Sequence, residues 1–259
     1  MKKWAIITGA SSGIGKALAF EFARNGVSVF LTARNETALK EIADECERKY
    51  KVETKLFSAD LGDENSTKNL IEAISNREFD VLVNNAGFGV KGDFAETDID
   101  EELKMINVQI AALLRLTKAV LPAMLAAKRG NILNIASVYS FAPVPKQSVY
   151  SASKSFILNF SSALQNEVKD SGVNVTVVCP GITQTEFRTR AGIADKKDSG
   201  MSAEAVAKIA FAEMLKGKHI VVPGFQNKVF VFLSKYLPNS AASGLVKIIN
   251  YVRGVNREH

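Results

Sequence analysis

Cysteine and histidine are both scarce. The 259-residue chain holds two of each, and that scarcity removes several kinds of chemistry. Cys46 lies in a charged, helix-patterned stretch and Cys179 in an apolar one, a spacing that supports neither a metal site nor a disulfide framework. His219 and His259 are too few for a histidine-based triad or a zinc site, so metal catalysis is not expected. The same cysteine usage implies a reducing, cytoplasmic setting. Long apolar runs are missing too. Met1-Lys2-Lys3 followed by Trp4-Ala5-Ile6-Ile7 superficially resembles a leader peptide, but the apolar run stops after four residues at Thr8-Gly9 and reads better as a buried first strand. No stretch approaches the roughly 18 consecutive apolar residues of a membrane span. There is no internal repeat, no low-complexity linker, and no aromatic stacking platform among the basic residues. Nucleic-acid binding is therefore not expected, although the net charge is +6 and the pI about 9.2.

What the chain does have is a hydrophobic content of 47%, enough at this length to bury a large core. Short apolar runs at about 4–8, 27–33, 52–58, 80–84, 131–136, 173–179 and 219–222 alternate with helical patterns. The helices are expected from Gly13 to Asn25, Glu36 to Tyr50, Asp63 to Asn76, Asp98 to Lys128, Tyr150 to Lys169 and Ser202 to Lys216. Such alternation marks βαβ units, a parallel sheet with helices on both faces. Pro122 should kink or break the fourth and longest helix. A polar segment from Gln184 to Gly200, with Glu186, Arg188, Arg190, Asp195, Lys196, Lys197 and Asp198, is the one long loop and a candidate lid.

The first strand runs into Thr8-Gly9-Ala10-Ser11-Ser12-Gly13-Ile14-Gly15 and then a helix. Gly9 permits a tight turn, and Gly13 and Gly15 allow close approach, so a pyrophosphate can sit on the positive helix end. The spacing is GxxxGxG rather than GxGxxG, and such a turn alone is weak evidence for a nucleotide site. After the second strand, where an acid would hold the ribose hydroxyls of NAD, the chain reads Ala33-Arg34-Asn35. An arginine there can pair with a 2′-phosphate, which predicts NADP(H) over NAD(H), with Ser11 or Asn35 as helpers. The bland alternative is a solvated arginine at a strand end.

Tyr150 and Lys154 stand four residues apart, one turn of helix, so the ammonium can lie beside the phenol and favour its ionised form. The pair is a candidate acid and base, although a Tyr and a Lys at this spacing occur on many solvated helices.

Taken together, Thr8 to Gly15, Asp60-Leu61, Asn84-Asn85-Ala86-Gly87, Asn107, Ser137, Tyr150 with Lys154, and Pro180-Gly181-Ile182-Thr183-Gln184-Thr185 resemble the classical short-chain dehydrogenase/reductase family over roughly residues 4–224. The resemblance implies a Rossmann-type, doubly wound sheet of seven strands in the order 3-2-1-4-5-6-7. It also implies hydride transfer between a nicotinamide and a carbonyl or secondary alcohol. On that analogy Tyr150 exchanges the proton with the substrate oxygen and Ser137 hydrogen-bonds it. Lys154 holds the nicotinamide ribose and Asn107 anchors a water of the proton relay. Ser12, Gly13, Ile14 and Gly15 meet the phosphates, while Asp60 and Leu61 flank the adenine. Asn85, Ala86 and Gly87 pass the adenosine ribose, and Asn84 ties strands together. Pro180, Gly181, Ile182, Thr183 and Thr185 lie at the nicotinamide carboxamide. Many NADP-using relatives carry a second basic residue in the glycine turn, and Ser12 stands there instead.

Residues 1–224 thus read as the dinucleotide-binding catalytic domain and 225–259 as a basic helical extension. The extension has five Lys/Arg against one acid, Glu258. Val229, Phe230, Phe232, Leu233, Tyr236, Leu237, Leu245, Ile248, Ile249 and Val252 fall there on helical spacing. This face can pack on the domain or on a second subunit, with contact to a membrane surface as the less favoured reading. A homo-oligomer is expected, a dimer before a tetramer. Phe88-Gly89-Val90, Val138 to Val144 and Phe187 should line an apolar substrate site. The expected activity is NADPH-dependent reduction of a hydrophobic ketone (3-oxoacyl, steroid-like or xenobiotic). Oxidation of an alcohol by the same residues, and NADP sensing without turnover, stand as alternatives.

Overall fold

The computed structural model of the chain describes residues 3–185, 187, 200–238 and 243–244. Most of the expected lid, including Glu186 and the charged residues from Arg188 to Asp198, lies outside the described residues, as do Leu245, Ile248, Ile249 and Val252 of the extension.

Strands β1 (Trp4–Thr8), β2 (Ser28–Ala33), β3 (Thr54–Ser58), β4 (Val81–Asn84), β5 (Gly130–Ile135) and β6 (Val173–Val178), then β7 (Thr183–Gln184), β8 (Met201–Ser202) and β9 (Ile220–Val221), follow one another along the chain. Seven of them form one parallel sheet in the order β3-β2-β1-β4-β5-β6-β9, and β7 and β8 pair separately. β1 is flanked by β2 (Ile7 opposite Leu31) and β4 (Ile7 opposite Val83), so chain direction switches sides there. A crevice opens at such a switch point, beyond the carboxyl ends of the strands.

Alternate residues of β1 serve the two faces, as the period of a strand requires. Ala5 and Ile7 pack with Leu18, Phe22, Leu31 and Leu39 under α1 (Gly13–Arg24) and α2 (Glu36–Tyr50). Trp4 and Ile6 pack with Leu70, Leu82 and Leu116 on the opposite side. Local chemistry sets the helix starts. Asn35 accepts from the Ala38 amide at 3.0 Å and begins α2, and Asp63 accepts from the Ser66 amide at 2.6 Å and begins α3 (Glu64–Ile74).

The expected fourth helix is interrupted, but not at Pro122. α4 (Ile99–Ile106) passes through a wide π-turn at Asn107–Ala111 into α5 (Ala112–Ala126), which runs on through Pro122. Only one turn of helix follows the proline, so a single lost hydrogen bond near the end is tolerated. The whole stretch Ile99–Ala126 is long and apolar enough to cross a membrane by length and composition. Here Met105, Leu113, Leu116, Val120 and Met124 are buried in the protein.

Helices α6 (Ser148–Glu167), α7 (Ala203–Leu215) and α8 (Phe225–Tyr236) complete the described chain. The extension presents a different face from the expected one. Phe230, Val231 and Ser234 turn inward, with Phe230 against Ala142 and Val144, whereas Val229, Phe232, Leu233 and Tyr236 are exposed.

Candidate active site

A cavity of about 590 Å³ runs across the carboxyl ends of the first six strands of the large sheet. At its left end Gly9, Ser11, Ser12, Gly13 and Ile14 form the turn between β1 and α1. Two glycines are required there by space. Gly9 has a φ of +64° and a Cβ on it would lie 2.9 Å from the Ala86 Cα; a Cβ on Gly15 would lie 2.2 Å from the Gly9 carbonyl oxygen. The bare backbone therefore forms a cradle that any side chain would fill, and Ser12, in the cap position of α1, leaves its hydroxyl out of the capping role. Such a turn fits a pyrophosphate. Asn85 braces it from β4, its side-chain amide donating to the carbonyls of Thr8 (2.8 Å) and Gly9 (3.3 Å). Asn84, as expected, ties strands: its amide donates to Asn134 Oδ1 at 2.9 Å.

Arg34 and Asn35 lie at the cavity edge beyond β2. The Arg34 side chain is exposed and, among the described residues, makes no ion pair, so its guanidinium is available to an anion. Asn35 is spent on capping α2. Asp60 and Leu61 line the neighbouring wall, with Asp60 Oδ1 accepting from the Gly62 amide at 2.9 Å. Ala86 and Gly87 continue the floor, and Pro180, Gly181, Ile182, Thr183 and Thr185 close the right side. Thr185 reaches across to the glycine turn, its Cγ2 3.0 Å from where a Gly13 Cβ would be.

The reacting end is made of buried side chains. Ser137, at the end of β5, begins a short 3₁₀ turn (Val138–Phe141) by accepting from the Tyr139 amide at 3.2 Å. Ser140 Oγ donates to the Lys154 carbonyl at 2.8 Å, which fastens that turn to α6. Tyr150 and Lys154 thereby face Ser137. The Ser137 side chain hydrogen-bonds the Tyr150 phenol, and the Lys154 ammonium donates to the Ile135 carbonyl at 3.1 Å.

The electrostatics differ from the expectation of a phenol acidified by its lysine. Burial drives the Tyr150 pKa up, the Ser137 hydrogen bond only partly offsets this, and Tyr139 adds to the rise. Burial likewise lowers Lys154 to about 8. The ammonium stands 5.7 Å from the centre of the Tyr150 ring, over its face, where it does little to draw off the phenolic proton. In the protein alone Tyr150 is therefore a protonated phenol throughout the neutral range. Cys179, near Lys154, is pushed up to about 12 by burial and is an inert thiol, as read from the sequence.

The Asn107 side chain does not point into this group. It stands exposed at the start of the π-turn, and its amide donates to the Gly62 carbonyl at 3.4 Å. Gln109, two residues on, is buried instead, and its side chain lies against Gly87. Its one signal in the sequence was an uncharged polar residue between apolar neighbours, and a π-turn changes the face in a way that 3.6-residue counting misses.

Of the expected substrate segment, Phe88, Val138, Tyr139 and Phe187 line the cavity, joined by Gln147, which the sequence reading overlooked. Gly89, Val90, Ser140, Phe141, Ala142, Pro143 and Val144 do not line it. Ser140 is spent on stitching, Phe141 lies under Lys235, and Ala142 and Val144 pack against Phe230 of α8. Tyr150 is walled by aromatic rings, Phe187 at 5.6 Å and Tyr139 at 6.5 Å between centroids.

A glycine cradle, a ribose edge and a buried Ser–Tyr–Lys cluster are the parts of an oxidoreductase that uses a dinucleotide. The family profile for short chain dehydrogenases matches residues 3–196, and the chain belongs to the short-chain dehydrogenase/reductase family, enzymes acting on CH–OH and C=O groups. It is 39% identical over 191 residues to the very-long-chain 3-oxoacyl-CoA reductase-B of Danio rerio, a match covering 71% of this chain and 61% of that one. It is 33% identical to the NADP-dependent 3-hydroxy acid dehydrogenase of Schizosaccharomyces pombe, over 85% of this chain and 90% of that one. Among solved structures, a short-chain dehydrogenase from Sphingobium yanoikuyae in complex with NADPH superposes with a TM-score of 0.83 at 28% identity, covering 99% and 97% of the two chains.

Proposed function

We propose that the protein is an NADPH-dependent reductase of a hydrophobic ketone, of the 3-oxoacyl or ring-ketone kind. The observation that carries the chemistry is the Tyr150 phenol, buried at the reacting end of the cavity beside Ser137 and Lys154. A protonated phenol is the acid that reduction needs, and the same residue serves as base in reverse, so the supply of cofactor and substrate sets the direction. Bound NADPH supplies the hydride. The residues of the chain do the rest. Ser137 donates to the substrate oxygen as negative charge develops there, and Tyr150 passes its proton to the same atom, leaving an alcohol. Lys154, charged below about 8, lines the same cavity, where its ammonium can hold the cofactor ribose and stabilises the phenolate that proton transfer leaves behind. The aromatic rings of Tyr139, Phe187 and Phe88 around this point favour an apolar substrate over a polyhydroxy one.

Three further facts support the reading. Arg34 lies unpaired where a 2′-phosphate would sit, with Ala33 in place of a repelling acid, which favours NADP(H) over NAD(H). The relatives from Danio rerio and Schizosaccharomyces pombe carry 3-oxoacyl-CoA and 3-hydroxy acid activities in their names. A structure of 7β-hydroxysteroid dehydrogenase superposes with a TM-score of 0.86 at 25% identity.

The test is NADPH oxidation across ketones graded from acyl thioesters and ring ketones to sugars, with Tyr150→Phe as control. Turnover of the apolar members alone, lost by on the order of 10²- to 10⁴-fold in Tyr150→Phe while NADPH still binds, is expected. Equal turnover by Tyr150→Phe would remove the assignment, and NADPH binding without turnover of any member would return the sensor reading.

A further inference from the structure

Helix α8 leaves an apolar stripe in solvent. Phe225, Val229, Phe232 and Tyr236 stand at i, i+4, i+7 and i+11, one face of a helix, and Leu233 lies beside them. Phe225 is 80% exposed, Phe232 61% and Tyr236 76%, and the Phe232 and Tyr236 rings lie side by side at 4.9 Å between centroids. The opposite face is already used. Phe230 packs on Ala142 and Val144, Val231 is buried, and Asn227 fills the space over Gly181, where a Cβ would lie 2.2 Å from its Oδ1. Packing on the domain, one of the readings open for this extension, therefore accounts for a face that does not include the stripe. Single exposed apolar residues are ordinary, but five on one stripe mark an interaction surface.

Charge selects the partner. Lys228 and Lys235 are exposed and stand seven residues apart along one edge of the stripe. Residues 225–259 hold five Lys/Arg against one acid, so four of the chain's six net positive charges fall in the extension. A second copy offering the same face would bring two lysine edges together, and like charges across an interface oppose association. A bilayer surface with anionic lipid supplies both things the stripe lacks: an apolar phase for the rings, and phosphate for ammonium groups whose aliphatic stems lie in the interface.

We propose that the Phe225–Tyr236 stripe docks the protein on the surface of a membrane that carries anionic lipid, α8 lying in the interface without spanning it. The place of the helix in the fold gives this docking a consequence. Its inward face rests on the turn whose Val138 and Tyr139 line the cavity and, through Asn227, on Gly181 of the right-hand wall. α8 is thus an outer layer of the reacting end, and docking brings that end to the phase in which an apolar ketone dissolves. The consequence rests on the reductase reading above; the docking does not.

The test therefore uses the full chain and vesicles, with neither cofactor nor ketone. Co-sedimentation is measured with vesicles of phosphatidylcholine alone and of phosphatidylcholine with about one-third phosphatidylglycerol. The wild type is expected to bind the anionic vesicles at least about tenfold more tightly than the neutral ones. Phe225→Ser combined with Phe232→Ser should weaken that binding by at least about tenfold, and since both rings are exposed the melting temperature should stay near that of the wild type. Lys228→Glu, a surface change that leaves the apolar stripe in place, should weaken it by about tenfold and covers the case in which the serine variant fails to fold. No binding by the wild type, equal binding to both kinds of vesicle, or full binding by either variant overturns the proposal. So does a wild type that is dimeric by analytical ultracentrifugation without lipid and becomes monomeric in the serine variant, because the stripe would then be a contact between two copies.

Discussion

The two ends of the cavity are built from opposite materials. The phosphate end is backbone: Gly9, Gly13 and Gly15 leave room by having no side chain, and Asn85 braces the turn through two carbonyls. The reacting end is side chain: Ser137, Tyr150 and Lys154 are buried with their polar atoms held by hydrogen bonds. One end excludes by shape, the other works by holding charge where water is scarce. Substitutions should divide the same way, with added volume damaging the first and lost chemistry damaging the second.

The largest effect tests the shape half. In Gly15→Ala the new methyl would lie 2.2 Å from the Gly9 carbonyl oxygen and 2.8 Å from its carbon, backbone atoms that have nowhere to go. Overpacking of this kind costs about 1–3 kcal/mol or more. NADPH affinity should drop by on the order of 100-fold, with a lower melting temperature, as read by fluorescence titration and a thermal melt. Binding near the wild-type level would show that the turn yields and would break the contrast.

Lys154→Met tests the chemical half, and its two consequences run in opposite directions. Turnover should fall by on the order of 10²-fold or more. Stability should rise, because the native state carries a buried ammonium whose pKa is lowered by burial from 10.5 to about 8. The sign follows from linkage: between those values the unfolded chain keeps a proton that the native state has released, so wild-type stability increases with pH across that window. The methionine variant should melt higher than the wild type at pH 7 and lack that increase. A lower melting temperature would mean that Lys154 is held by attraction rather than tolerated for function.

The smallest effect separates the halves from their shared edge. Arg34 is an exposed side chain that does chemistry at the backbone-built end. Arg34→Ala should weaken NADPH by about tenfold, the scale of one charge-assisted pair in partly exposed surroundings, and leave NADH unchanged. Equal weakening of both would return Arg34 to the role of a solvated strand-end residue.

Legibility divides along similar lines. The glycine turn, β1 and α1 are contiguous, and each is dictated by its own neighbours. α2 runs from Glu36 to Tyr50 as expected, because Asn35 caps one end and Lys51 adopts a left-handed conformation at the other. Ser137, Tyr150 and Lys154 were legible through spacing and resemblance together. The side-chain direction of Asn107 was not legible, because its face depends on a π-turn that 3.6-residue counting cannot anticipate. The inward face of α8 was misread for a related reason. Phe230 is held by Ala142 and Val144, residues from a turn some 90 positions away, and the hydrophobic spacing of the helix carried no information about that surface.

The sequence by itself determined the alternating α/β layout, the cradle after β1 and the identity of the Ser, Tyr and Lys, since each rests on local sterics or on side-chain chemistry that travels with the residue. Tertiary structure alone decided that the Asn107 side chain turns toward Gly62 while Gln109 is buried, how far Tyr150 is desolvated, and which side of α8 meets the protein. Those are properties of packing between segments distant in sequence, and burial, which raises the pKa of Tyr150, exists only once the layers have closed.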